Sequence, residues 1–218
     1  MTDRVRRASG GQVVYAELKR RILSLDLPPG RRLFEPELSQ QLQVSRTPLR
    51  EALRLLLAED LLEQLPTGGM VVRSLSASEI EELYSVRAAL EGLMAAEAAE
   101  RMTTESADAL KLLVARNQRL VEFADDAMHA GHAFHLKIAD IAAHGWAVRL
   151  HEQVDGQMAR YRAFTNQSQS RRTQALEEHF AILEALITQD APTARALAES
   201  HVLGARDTAL SAIADRLP

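Results

Sequence analysis

Fourteen residues near the N-terminus, Val44 to Leu57, read VSRTPLREALRLLL and have the pattern of a two-faced helix. Leu49, Leu53, Leu56 and Leu57 recur at helical spacing and give one apolar face, while Arg46, Arg50 and Arg54 recur every fourth residue on another. Ser45 stands where a side chain can cap the free NH groups, and Pro48 falls in the first turn, where a missing NH costs little. Arg46, Thr47 and Arg50 thus lie near the helix N-terminus. Arginine can pair bidentately with a guanine edge or a phosphate, and threonine can bond phosphate or touch a thymine methyl. An ordinary amphipathic helix with a solvated arginine face would show the same stripes, so its neighbours must decide.

Residues 1–11, with Arg4, Arg6, Arg7 and a Ser-Gly-Gly run, read as a flexible arm. From Gln12 to Leu25 the pattern is helical, with Val14, Leu18, Ile22 and Leu25 on one stripe, until Leu27-Pro28-Pro29-Gly30 forces a turn. Arg31–Phe34, which includes Arg32, suits a short extended link into a helix over Glu35–Leu42. Gln43 and Val44 then make the brief turn before the arginine helix, which is a helix-turn-helix arrangement whose second helix would enter the major groove. Leu61–Leu65 and Met70–Arg73 flank Pro66-Thr67-Gly68-Gly69 and read as a hairpin, the wing of a winged helix. Gly68 and Gly69 suit close approach to phosphate, and equally suit simple turn geometry.

Residues 12–73 resemble the winged helix-turn-helix domain of the GntR family of bacterial transcription regulators. The resemblance rests on Leu27-Pro28-Pro29-Gly30, on Leu33 with Glu35, on Val44-Ser45-Arg46-Thr47-Pro48-Leu49-Arg50-Glu51-Ala52-Leu53, and on Gly69. It implies a partner, double-stranded operator DNA of pseudo-palindromic form read by a homodimer. The contacts it implies come from Arg46, Thr47 and Arg50, with Ser45, Arg54 and Arg32 beside them and the wing turn at Thr67, Gly68 and Gly69 near the minor groove.

Charge is divided in keeping with that reading. Residues 1–73 hold 12 Lys or Arg against 9 Asp or Glu, and residues 74–218 hold 14 against 21. There is no cysteine, so disulfides and thiolate metal sites are excluded. No apolar run approaches a membrane span and the N-terminus lacks a signal-peptide core, so a cytoplasmic protein is expected.

After a linker at 74–78, in which Ser76 and Glu79 have capping-box spacing, residues 79–218 read as helices throughout. The expected segments are Glu79–Met102, with Ile80, Leu83, Val86 and Leu90 inward, Thr103–Ala124, Asp126–Ala143, Trp146–Phe164, Arg171–Gln189 and Pro192–Arg216. Short links between long helices argue for an antiparallel bundle. The expected fold is therefore mostly α, a winged helix-turn-helix followed by an all-α antiparallel helical bundle. Thr165–Thr173 is the one long polar interruption, open to reading as a flap or as a plain surface loop.

All seven histidines lie after residue 128, and His135, His179 and His201 fall on three different helices beside apolar neighbours. Converging imidazoles would suit zinc, nickel or another borderline divalent metal, whereas spacing alone leaves satisfied or surface histidines as the alternative. Residues 78–210 resemble the FCD ligand-binding domain of the FadR-like branch, through Val86-Arg87-x-x-Leu90-Glu91, Phe134-His135, Glu178-His179-x-x-Ile182-Leu183-x-Ala185-Leu186, and Asp190 with Ala198 and His201. That resemblance implies a divalent metal on His135, His179 and His201 together with an aspartate four residues before His135, where this chain has Gly131. It also implies that Arg87 faces the cavity and grips an acidic effector, with Tyr84 one turn earlier and His132 beside the vacant position; the plain alternative for Arg87 is an i,i+4 ion pair with Glu91 on a helix surface. The expected function is a transcription regulator sensing a small carboxylate metabolite. A metal-free regulator sensing a fatty-acyl compound is the runner-up, for which Gly131 is the main support, and a structural DNA binder with little sequence preference is a third reading. A metal-dependent hydrolase is disfavoured because no His-Glu-x-x-His signature is present and the enzyme reading leaves the DNA-binding module without a use.

Overall fold

The computed structural model describes residues 10–66, 68–165 and 168–214, and the chain divides into two compact units that meet between Leu75 and Ser76. The first unit holds α1 (Gly10–Leu23), β1 (Arg32–Leu33), α2 (Glu35–Leu42), α3 (Arg46–Ala58), β2 (Leu62–Gln64) and β3 (Met70–Val72). The apolar stripes meet as their spacing requires, with Leu18 and Ile22 of α1, Leu38 of α2 and Leu49, Leu53 and Leu56 of α3 all buried in one core. Gly10 and Gly11 belong to α1, and the helix stops before Leu25, which takes a left-handed φ of 65°. The three strands form an antiparallel sheet in the order β1-β3-β2, with Leu33 opposite Met70 and Leu62 opposite Val72. Gly30, at φ 80°, lets the proline turn fold back so that its NH donates to the Val72 carbonyl at 2.8 Å.

Ser45 occupies the N-cap of α3, yet its side chain makes no capping hydrogen bond. The reason is local: an N-cap side chain usually accepts from the second or third NH of the helix, and the third residue here is Pro48, which has none.

The second unit contains α4 (Ala77–Glu100), α5 (Thr104–Leu120), α6 (Ala124–Ala142), α7 (Gly145–Thr165), α8 (Gln169–Ile187) and α9 (Ala191–Ala214). Among its described residues it is all helical. The capping box forms as its spacing predicts, since Glu79 donates its NH to the Ser76 hydroxyl at 3.2 Å while the Glu79 carboxylate accepts from the Ser76 NH at 2.8 Å. α4 is the central element and packs on α6, α7, α8 and α9. Gly92 leaves room for α9, because a Cβ there would stand 2.5 Å from the Glu199 side chain.

Two sequence expectations need correction. Val86 is 49 % exposed, and the inward face of α4 instead carries Ile80, Tyr84, Arg87, Ala88 and Glu91. Arg87 and Glu91 on that face pair inside the bundle, so an apolar count alone shifts the stripe by one position. Of the interruption at Thr165–Thr173, Asn166 and Gln167 lie outside the described residues, while Thr165 ends α7 and residues 169–173 open α8: Ser168 caps α8 by accepting from the Arg171 NH, and Arg171 and Arg172 are buried. Arg172 donates from Nε to the Val121 carbonyl at 2.7 Å and from Nη2 to the Glu122 carbonyl at 3.2 Å. It thereby satisfies acceptors just past the C-terminus of α5, where a cation is favoured.

Leu110 of α5 has no exposed surface and sits in the bundle core. Leu110→Ala is expected to lower the unfolding free energy of the chain by about 2 to 5 kcal/mol, read from urea denaturation followed by circular dichroism.

Candidate functional site

In the bundle α6, α8 and α9 bring His135, His179 and His201 together, with one ring nitrogen from each lying within 4.8 Å of the others. His179 and His201 are buried, His135 nearly so. The rings pack edge-on and stacked at centroid separations of 4.8 to 5.0 Å, with Phe134 beside His179 as an apolar wall.

What each ring offers is decided by its other nitrogen. His135 Nδ1 lies 3.0 Å from Glu91 Oε2, His179 Nδ1 lies 3.0 Å from Asn117 Oδ1, and His201 Nδ1 lies 2.6 Å from Glu178 Oε2. The Asn117 amide is oriented by its own Nδ2, which donates to the Ala127 carbonyl at 3.0 Å, so the oxygen must face the ring. All three partners are acceptors, and each Nδ1 therefore carries the proton. Each Nε2 is left with its lone pair. His135 Nε2 and His179 Nε2 stand 3.2 Å apart, so two lone pairs face each other unless an electrophile lies between them. Two nitrogens on one metal ion about 2.1 Å away and about 100° apart would have that separation. The donor set thus fits a borderline divalent cation, and its orienting acceptors are the kind that fix metal-binding imidazoles.

Electrostatics agree with neutral rings at His179 and His201. Burial, and then the neighbouring rings, push the His179 and His201 imidazoles well below the ordinary range. Burial works against charge on Glu91 too, but Arg87, His135 and His151 outweigh it and hold the carboxyl well below its usual value.

Arg87 is buried, and its Nε donates to Glu91 Oε1 at 2.6 Å. The i,i+4 pair on a helix surface that the spacing allowed is instead an interior pair, with Asp155 of α7 also acting on the guanidinium. Tyr84 is fully buried on the same face of α4, and His132 is half-buried on α6. Gly131 is buried, and a Cβ built on it would meet His179 Cε1 at 3.2 Å and Asn117 Oδ1 at 3.9 Å. The position thus points at the rings, as the helix register implied.

Asn117 and His151 escaped the sequence reading. Asn117 interrupts the core stripe Ala107, Leu110, Val114 of α5 with a polar residue, which was the available signal. His151 of α7 is buried with Nε2 3.2 Å from Glu91 Oε1. Nothing in its local sequence distinguishes it from the surface histidines.

In the first unit Arg46, Thr47, Arg50 and Arg54 are all exposed on α3, with Ser45 exposed at its cap and Arg32 exposed on β1. Gly68 and Gly69 take φ of 85° and 86° in the turn between β2 and β3. Thr67 and residues 1–9 of the arm lie outside the described residues.

Comparison with known proteins gives two domain matches, the FCD domain over residues 82–204 and the gntR family of bacterial regulatory proteins over residues 11–72. The uncharacterized HTH-type transcriptional regulator YdhC of Bacillus subtilis is 29 % identical over 199 residues, covering 87 % of this chain and 84 % of that protein. The HTH-type transcriptional repressor RspR of Escherichia coli is 26 % identical over 193 residues, covering 88 % and 85 %. Among solved structures, McbR/YncC of E. coli shares the fold with a TM-score of 0.74 at 24 % identity, over 91 % of this chain and 95 % of that one. No described helix is long and apolar enough to cross a membrane.

The depressed histidines make stability depend on pH in one direction. An unfolded imidazole titrates near 6.5, so as pH falls below about 6.5 the unfolded chain takes up protons that folded His179 and His201 refuse. Their contribution is whole above that pH and is lost as pH falls toward their folded values; Glu91 adds a loss of the same sign under more acidic conditions. The chelator-treated protein should therefore melt progressively lower from pH 7.5 to pH 5.5, and the double variant His179→Gln/His201→Gln should show a flatter profile. Identical slopes in thermal melts would contradict the assignment of neutral buried rings.

Proposed function

The chain belongs to the GntR family of bacterial regulatory proteins and carries an FCD domain, and on that premise we propose that it is a homodimeric transcription regulator of the FadR-like kind. Its operator would be held by α3 and the wing, and its DNA affinity set by a small carboxylate effector bound at a metal in the bundle. Arg46, Thr47, Arg50 and Arg54 supply the exposed face of α3, and Ser45, freed from capping by Pro48, supplies a hydroxyl for phosphate. Arg32 and the Gly68-Gly69 turn add backbone contacts, and two-fold pairing would double the short site that one helix can read. The name of the E. coli relative favours repression as the sign of control.

The observation that carries the metal reading is the convergence of one ring nitrogen from each of three histidines, with His135 Nε2 facing His179 Nε2 and every Nδ1 held by an acceptor. His135, His179 and His201 would hold zinc or nickel, which supplies a Lewis-acidic centre for an oxygen ligand when bound. The carboxylates that hold the rings are already matched, Glu91 to Arg87 and Glu178 to Arg171, so they would leave a dication's charge largely uncompensated. An anionic effector is the complement such a site calls for. Its carboxylate would supply the oxygen donor that Gly131 lacks, with Arg87, Tyr84 and His132 near its approach. This polar surround suits a small carboxylate better than a long acyl chain.

Metal content after dialysis against zinc, nickel and manganese tests the reading. Wild type should retain one ion per chain and His179→Ala none, while Asn117→Leu should bind about 10 to 100-fold more weakly because the ring loses its orienting acceptor. Uptake should persist below the ordinary histidine range and weaken only as pH falls toward the lowered values of His179 and His201, since a protonated imidazole cannot ligate. Gly131→Asp should tighten the metal, and Arg87→Ala should weaken the effector while sparing the metal. Equal, negligible uptake by wild type and His179→Ala for all three ions would remove the metal and bring the metal-free alternative forward.

A further inference from the structure

Among the exposed arginines of α3, Arg50 differs from the other two. Its Nε donates to Glu35 Oε2 at 2.9 Å, and Glu35 is the first residue of α2. Arg46 and Arg54 have no such partner among the described residues. Glu35 is two-thirds covered, at 31 % side-chain exposure, and borders a crevice of about 90 Å³ walled by Leu33, Leu38, Leu53 and the wing residues Gln64 and Met70. The carboxylate is thus held where α2, α3 and the wing meet, whereas Arg50 is 59 % exposed and its terminal nitrogens have no partner among the described residues.

A carboxylate on Nε occupies the side of the guanidinium and leaves the two terminal NH2 groups pointing outward as a fork. That fork matches the O6 and N7 acceptors of guanine. The same carboxylate disfavours a phosphate at this arginine, because it places negative charge within a few ångströms of the anion the arginine would hold. Arg46 and Arg54, which pair with no carboxylate among the described residues, lack this constraint. An exposed pair of this kind adds little to stability, so its effect lies in orientation.

We infer that Glu35 is a positioning residue for operator specificity: it holds Arg50 by Nε so that Arg50 reads a guanine edge bidentately, while Arg46 and Arg54 serve the backbone. This rests on the proposal that α3 is the recognition helix.

The test uses the full-length dimer. Wild type selects a consensus from a randomised duplex pool, and binding of wild type, Arg50→Ala, Glu35→Ala and Glu35→Gln is then measured at matched salt. The probes are the consensus, a scrambled duplex, consensus duplexes altered at each guanine, and one carrying 7-deazaguanine at the position Arg50→Ala identifies. A good bidentate pair discriminates by about five- to 150-fold, and Arg50→Ala should lose that preference at one guanine per half-site. Glu35→Ala should lose most of the same preference at the same guanine, bind scrambled DNA at least as well as wild type, and be indifferent to 7-deazaguanine, which wild type should reject. Glu35→Gln, which keeps an acceptor, should fall between and guards against a folding defect in the alanine variant. Full retention of the guanine preference by both Glu35 variants, alongside its loss in Arg50→Ala, overturns this inference and leaves the recognition helix standing. Arg50→Ala weakening all duplexes evenly overturns it too, by making Arg50 a phosphate contact. Unchanged binding of Arg50→Ala on every duplex removes the recognition-helix proposal itself.

Discussion

The polar interior of the bundle depends on one carboxylate. Glu91 accepts from Arg87 on its own helix, from His135 on α6 and from His151 on α7, all while nearly excluded from water. An ion buried alone would cost several kcal/mol, and this one is tolerable because three donors converge on its two oxygens. The pair with Arg87 is local and can form as soon as α4 does. The donors from α6 and α7 are not, so they tie the docking of those helices to the satisfaction of a charge already committed to the interior. The same contact determines which nitrogen of His135 carries its proton, and through that the character of the site one ring away.

Burial has opposite consequences for the two kinds of ionisable group here. For Glu91 it is a penalty overcome by neighbours, whereas for His179 and His201 it removes the proton that would otherwise compete for their lone pairs. A ring with more water around it would be a worse ligand near neutral pH. The apolar wall of Phe134 and the small residues of α4 and α9 are therefore part of the site's chemistry as well as of its packing.

Helical periodicity made the architecture legible, because Leu49, Leu53 and Leu56 or Leu110 and Val114 can hardly be hidden any other way. The glycines and prolines at 28–30 and 68–69 marked the turns for equally local reasons. The convergence of His135, His179 and His201 was visible only as a possibility, since each is 22 or more residues from the next and nothing local sets their distance. Asn117 and His151 were harder still. A buried polar side chain looks like a surface residue until its partner on another helix is known, and their partners stand 62 and 60 positions away. Val86 was misplaced for the converse reason, since an apolar residue was assumed to point inward when the polar Arg87 and Glu91 had taken that face.

The three rings come from α6, α8 and α9, and the acceptors that orient them come from α4, α5 and α8. Arg172 adds a strap from α8 to the end of α5, the pair of helices that carry His179 and its Asn117 partner. Drawing the rings together by even a fraction of an ångström is therefore not a local adjustment: five backbones must share it, and the strapped pair must move as one body. An ion or ligand at the centre of the bundle would act as a tensioning point, its size and charge passed on as small rotations of whole helices.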